Sequence, residues 1–191
     1  MGWKECLSGE LYDAMFEGRE EDHLRCLDLC WEFNQLRPSL VKERQEVLQK
    51  LFGRLGKNFY MEPGVECGFG FNVEFGDDCY VNSWCHFMDP GKIIFGNHVY
   101  IGPDCGFYTA HHPIHKELRN RNLEYARPIT VGDDVWIGGD TVVMPGVTIG
   151  SDVVIGAGSV VTRDIPSHVV ALGNPCRVYR EITQEDYRLR R

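Results

Sequence analysis

At 191 residues, 43% hydrophobic and 25% charged, the chain has material for one globular domain with appendages. Its formal net charge of -8 and pI near 5.3 argue against nucleic acid or an anionic membrane as the main partner. No apolar run reaches membrane length, and the opening MGWKECLSGE lacks the apolar stretch of a signal peptide. Cys6 stands where myristoylation asks for Ser or Thr, so the expected compartment is the cytoplasm.

Residues 1 to about 56 predict helices. Ser8 can cap one that runs to about Glu17, with Leu11, Met15 and Phe16 apolar. A second spans about Glu20 to Gln35 with Leu24, Leu27 and Trp31 on its apolar face, and Pro38 ends it. Ser39 can cap a third, whose stripe is Val41, Leu48, Leu51, Phe52 and Leu55 and whose stop is Gly56. Such helices would cover an open end of the structure that follows.

From about Phe59 the period changes. Between Val131 and Pro166 six consecutive hexads begin with Val131, Ile137, Val143, Ile149, Ile155 and Val161, and Gly usually follows. A strict period of six suits neither a helix nor a continuous strand. It suits a coil of short flat strands joined by tight turns, each leading aliphatic pointing into a narrow core. The expected fold is mainly β: a left-handed parallel β-helix of hexapeptide repeats over 59–170, an N-terminal α-helical cap over 1–58, an extruded loop over 109–128, and a C-terminal arm over 171–191.

Extending the register backwards gives hexads at Pro63, Phe69, Phe75, Val81 and Phe87, then, after a two-residue slip, at Phe95 and Ile101. Cys67, Cys79, Cys85 and Cys105 then fall at fifth positions, where a small buried side chain is wanted. With no CxxC pair among the eight cysteines, reduced thiols are expected, with Cys67, Cys85 and Cys105 stacked on one inner face. The register fails from His111 to Arg127, a polar excursion holding His111, His112 and His115. A loop of that length in a regular solenoid points to function, and histidine suits activation of a hydroxyl near neutral pH. Placement alone does not choose among the three. At the end, Thr183 and Asp186 form a capping box for a short helix in TQEDYRLRR.

The segments YVN (Tyr80 to Asn82), YTAHHPIHKELR (Tyr108 to Arg119), PITVGDDVWIGG (Pro128 to Gly139), MPGVTIG, IGAGSVVTRDIP and GNPCRV resemble the maltose and galactoside O-acetyltransferases. GELYDA and EFNQLRPS resemble that family's helical cap, so the likeness runs along essentially the whole chain. It implies transfer of an acetyl group from acetyl-CoA to a sugar hydroxyl, directly within a ternary complex and without a metal. By the same resemblance His112, the His before Pro113, is the catalytic base, and Asn82 lies between acceptor and thioester. Trp136, Gly139, Ala157, Thr162, Arg163, Arg177 and Arg180 are the implied CoA-binding residues; the arginines suit phosphate oxygens. Asp13, Asn82, Asp89 and Glu124 are the implied acceptor-binding residues. Gly68, His23 and Pro90 depart from the family pattern, which leaves the sugar open. The resemblance also implies a homotrimer in which His112 of one chain faces the CoA-binding coils of the next.

Three other readings compete. A hexapeptide acetyltransferase could act on a non-sugar hydroxyl, of a xenobiotic or of serine. The same fold hosts carbonic-anhydrase-like proteins, for which His86, His111, His112 and His115 would supply metal ligands. A β-helix scaffold without activity would leave the loop histidines unexplained.

Overall fold

Short parallel strands build three faces of a triangular prism. In the computed structural model, which describes residues 2–188, the seven-stranded first face stacks Met61, Val81, Ile101, Ile137, Ile155 and Ala171 inward in successive coils. The five-stranded second face stacks Cys67, Phe87, Phe107, Val143 and Val161. The four-stranded third face carries Phe75, Phe95, Val131 and Ile149. All six hexad leaders from Val131 to Val161 are buried, which is the burial the period of six requires. Phe75 on Phe95 (4.6 Å) and Phe87 on Phe107 (5.4 Å) fill the early coils with stacked rings.

Upstream of the loop, the path from the second face to the third is longer than a hexad in two coils, from Cys67 to Phe75 and from Phe87 to Phe95. The sequence reading allowed for only the later of these slips. Cys67 therefore leads its strand and pairs with Phe87, while Cys85 lies one coil from Cys105. All eight cysteines are free and buried. The extra residues widen this corner. Asp89 fills it from inside, accepting hydrogen bonds from the backbone N–H of Phe69 (2.7 Å) and Asn72 (3.3 Å).

The corner between the third and first faces turns through Asp78, His98, Asp134, Asp152 and His168, one per coil and all at positive φ, a region that Asn, Asp and His tolerate best among residues with a Cβ. His98 reaches Asp134 (3.1 Å) and His168 reaches Asp152 (2.8 Å), so side chains also tie this edge together. At the corner between the first and second faces, successive coils come very close. A Cβ on Gly102 would sit 2.5 Å from the amide N of Gly139, and one on Gly138 2.5 Å from that of Ala157.

The N-terminal region differs from the expected helices. A short α1 (Trp3–Cys6) comes first, and Ser8 closes it by donating to the Glu5 carbonyl instead of capping a helix to Glu17. Gly9 and Gly18, both at positive φ, bound an extended stretch whose Tyr12–Asp13 joins a sheet. Helix α2 (Arg19–Gln35) forms as expected but buries Cys26, Cys30 and Phe33, leaving Leu24, Leu27 and Trp31 exposed. Helix α3 (Val41–Leu51) starts after Leu40 without a side-chain cap from Ser39 and ends before Phe52, which enters the core 5.5 Å from Phe75. Val41 is exposed. The C-terminal arm adds Arg177–Glu181 antiparallel to Val169–Leu172, and Thr183 with Asp186 caps a 3-10 turn at Gln184–Tyr187. Residues 189–191 of the predicted final helix lie outside the described residues. No helix among the described residues is long and apolar enough to cross a membrane.

Candidate active site

The excursion leaves the prism at the widened corner and is ordered within itself. Ala110–His111 pairs antiparallel with Leu123–Ala126, and Tyr12–Asp13 from the N-terminal segment adds a third strand on the other side. Helix α4 (Lys116–Arg119) makes the tip, where Arg119 donates to the carbonyls of Pro113 (2.9 Å) and Ile114 (3.0 Å). His111 stacks on Tyr125 at 4.8 Å, and burial, helped by the Arg127 charge, lowers its pKa. His112 and His115 are exposed, with the buried Pro113 between them.

Glu124 fastens this sheet to the cap. It accepts from the Tyr12 hydroxyl (2.5 Å) and the Arg19 guanidinium (2.7 Å), and only 6% of its side chain is exposed. Burial, followed by the side chains of Cys6 and Glu124 that bond it, raises the Tyr12 pKa. Between the cap residues and the widened corner lies a cavity of about 760 Å³, whose walls include Met15, Phe16, Arg19, Phe69, Met88 and Ala110. Ala110 is two residues before His112. Arg19 sits 5.1 Å over the Phe69 ring, and its Nε is buried without a hydrogen-bond partner. Sequence reasoning missed Arg19; the signal was a helix-starting arginine, but its partner Glu124 lies far away in sequence.

The acceptor residues expected from sequence are placed unevenly. Asp13 is half-buried and its Oδ1 accepts from the Met15 amide (2.9 Å), beside the cavity wall. Glu124 and Asp89 are both buried and bonded to neighbours, and neither is among the residues that line the cavity. Asp89 is wholly buried, and desolvation pushes its carboxyl up to about 7 despite the backbone N–H groups that bond it. Asn82 is elsewhere, at the corner between the first and second faces, with its Oδ1 on the Ser83 amide (2.8 Å). Gly139 and Ala157 follow along that edge, and Trp136 lies beside it on the outer side of the first face, 58% exposed. The five-stranded second face therefore separates this edge from the loop-bearing edge within one chain.

Thr162 and Arg163 are exposed and follow the strand Val160–Val161, on the loop-bearing edge but coils away from the loop. Arg177 is exposed in the arm. Arg180 is exposed too, and both terminal nitrogens of its guanidinium are 2.7 Å from Asp186, which is thereby held down to about 2. The histidines named for a metal do not converge within the chain. His86 bonds Glu66 (3.0 Å), His111 is stacked on Tyr125, and the one convergent group among the described residues is Cys26, Cys30 and Cys67.

Hexapeptide coils, a helical cap and a histidine-bearing loop beside a cavity define a hexapeptide-repeat acyltransferase. Residues 5–56 match the maltose acetyltransferase hexapeptide capping motif, and residues 128–163 match the bacterial transferase hexapeptide (six repeats). The galactoside O-acetyltransferase of Escherichia coli K12 is 43% identical over 179 residues, 94% of this chain and 88% of that one. A maltose O-acetyltransferase from Clostridium difficile 630 superposes with a TM-score of 0.93 at 42% identity, covering 95% of this chain and 97% of that one. A galactoside acetyltransferase in complex with coenzyme A gives a TM-score of 0.95 at 42% identity, covering 99% and 95%. The chain belongs to the maltose and galactoside O-acetyltransferase family.

Proposed function

We propose that this chain is a sugar O-acetyltransferase that moves the acetyl group of acetyl-CoA directly to a hydroxyl, with His112 as general base. The observation that carries this reading is the ordered loop, which bears an exposed His112 two residues after Ala110, a wall residue of the 760 Å³ cavity. His112 takes the proton of the acceptor hydroxyl as its oxygen attacks the thioester carbonyl carbon; the C–S bond breaks, and the proton passes to the CoA thiolate. A covalent acetyl-cysteine route finds no support, since every cysteine is buried.

On this reading the cavity is the acceptor pocket. Asp13 and Arg19 supply hydrogen bonds to hydroxyls, Phe16 and Phe69 supply apolar walls, and Asp89 and Glu124 hold those walls in place. Asn82, Gly139, Ala157 and Trp136 form the cofactor edge, whose close-packed glycines leave a smooth track for the pantetheine arm, while Thr162 and Arg163 reach the cofactor from the loop-bearing edge of the neighbouring chain and Arg177 from the arm. Because the cofactor edge and the loop stand on opposite sides of the second face, the proposed assembly is a homotrimer in which one chain's loop meets the next chain's cofactor edge. The proposed compartment is the cytoplasm.

The apolar share of the pocket, Met15, Phe16, Phe69, Met88 and Pro90, favours a second reading in which the acceptor is a hydroxyl compound with an apolar body. The deciding experiment measures CoA release from acetyl-CoA against maltose, glucose, galactosides, serine and apolar alcohols. Sugar-dependent release is expected. Release only with apolar alcohols would select the second reading, and none with any acceptor would overturn both.

A further inference from the structure

Helix α2 places Cys26 and Cys30 one turn apart, on the side that rests against the strand Glu66–Cys67. The sulfur atoms of Cys26, Cys30 and Cys67 lie within 4.8 Å of one another, and the residues are 0%, 5% and 2% exposed. No other three His, Cys, Asp or Glu side chains among the described residues converge in this way. Acyl transfer uses none of them. Packing alone would be met by any small apolar residue at the two helix positions, whereas here both point a polarisable donor at the third.

We infer that Cys26, Cys30 and Cys67 form a closed binding site for a soft, thiophilic centre that is complete with three sulfur donors, and that trivalent arsenic fits it best. Three sulfur bonds of about 2.3 Å to a pyramidal centre, at angles of about 95–100°, set the sulfurs about 3.5 Å apart, so the cluster needs to contract by at most about 1.3 Å. Zinc is a poorer match, because it takes a fourth ligand that the cluster does not supply. Charge decides the rest. Three thiolates around copper(I) would leave two net negative charges in a dry interior, at a large desolvation cost. Arsenous acid avoids that cost: As(OH)3 + 3 Cys–SH gives As(S–Cys)3 + 3 H2O. Three As–O and three S–H bonds break, three As–S bonds form, the thiol protons leave in water with the hydroxides, and no charge is buried. Entry requires local opening of α2 from the first coil, so uptake is slow compared with diffusion.

The test is native mass spectrometry of the intact, reduced chain with sodium arsenite, together with thermal melting. One arsenic per chain, with the mass loss of three thiol protons and a raised melting temperature, is expected. Cys30→Ala should weaken uptake at least tenfold, while Cys85→Ala, at a buried thiol outside the cluster, should retain it. Should Cys30→Ala fail to fold, peptide mapping of the wild-type adduct replaces it, with arsenic expected to protect Cys26, Cys30 and Cys67 from alkylation. Absence of a one-to-one adduct, undiminished uptake by folded Cys30→Ala, protection of other cysteines, or tighter binding of zinc than of arsenite would each overturn the assignment.

Discussion

His111 and His112 are sequence neighbours with opposite surroundings: one ring is stacked on Tyr125, the other faces solvent. The expected consequence is separable kinetics. His112→Ala should bind acetyl-CoA normally and lose about 10²- to 10⁴-fold in turnover, while His111→Ala and His115→Ala keep most of it; equal losses in all three would remove His112 from its role. Asp89 yields a pH prediction. Its folded-state pKa, near 7, is above the ordinary Asp value of about 3.9, so the unfolded chain gives up this proton first as pH rises. The folded state should therefore lose stability between about pH 4 and pH 7 through this group. Asp89→Asn should flatten that part of a urea-midpoint profile, and an unchanged slope would mean the group is not titrating there. The histidine and its following proline were legible because both lie in one short segment. Arg19 was not: its meaning comes from Glu124, which only folding brings within 2.7 Å.

At the level of elements, α2 shows where a periodic reading goes astray. Leu24, Leu27 and Trp31 make a plausible apolar stripe, yet the helix docks on Cys26, Cys30 and Phe33, whose smaller thiols let it lie close to the first coils. Trp31 is 68% exposed and Phe33 is 0% exposed. Chemical denaturation should show Trp31→Ala within about 0.5 kcal/mol of wild type and Phe33→Ala less stable by about 3–5 kcal/mol. The reverse order would restore the stripe to the core. The coils were legible wherever six residues return the chain to the same face, as from Val131 onward. They were less so at Cys67, because Gly68 and Gly70 in the widened corner look in sequence like the glycines of the ordinary turns, and the pull of Asp89 on that corner's backbone is invisible in one dimension.

Across the whole molecule, the loop edge and the Asn82 edge are held apart by a rigid face of five strands. If each reaction centre is shared between neighbours in a ring, His112→Ala and Asn82→Ala should each be inactive alone. Refolded as an equal mixture, they should regain about one active interface in four, because a ring contact joins different patches of adjacent chains. No recovery in mixed oligomers would confine the centre to one chain. Fold and repeat could be read along the sequence, but this separation of edges emerges only once the coils are closed. The bond between Tyr12 and Glu124 spans 112 positions. During synthesis, at about 5–20 residues per second, the first segment to leave the ribosome must wait on the order of ten seconds for its partner to be made. The cap strand is thus translated early yet seated only after the loop has been made, and a nascent chain halted before residue 124 would lack both Glu124 and the six hexads from Val131 onward, with its acceptor pocket still open.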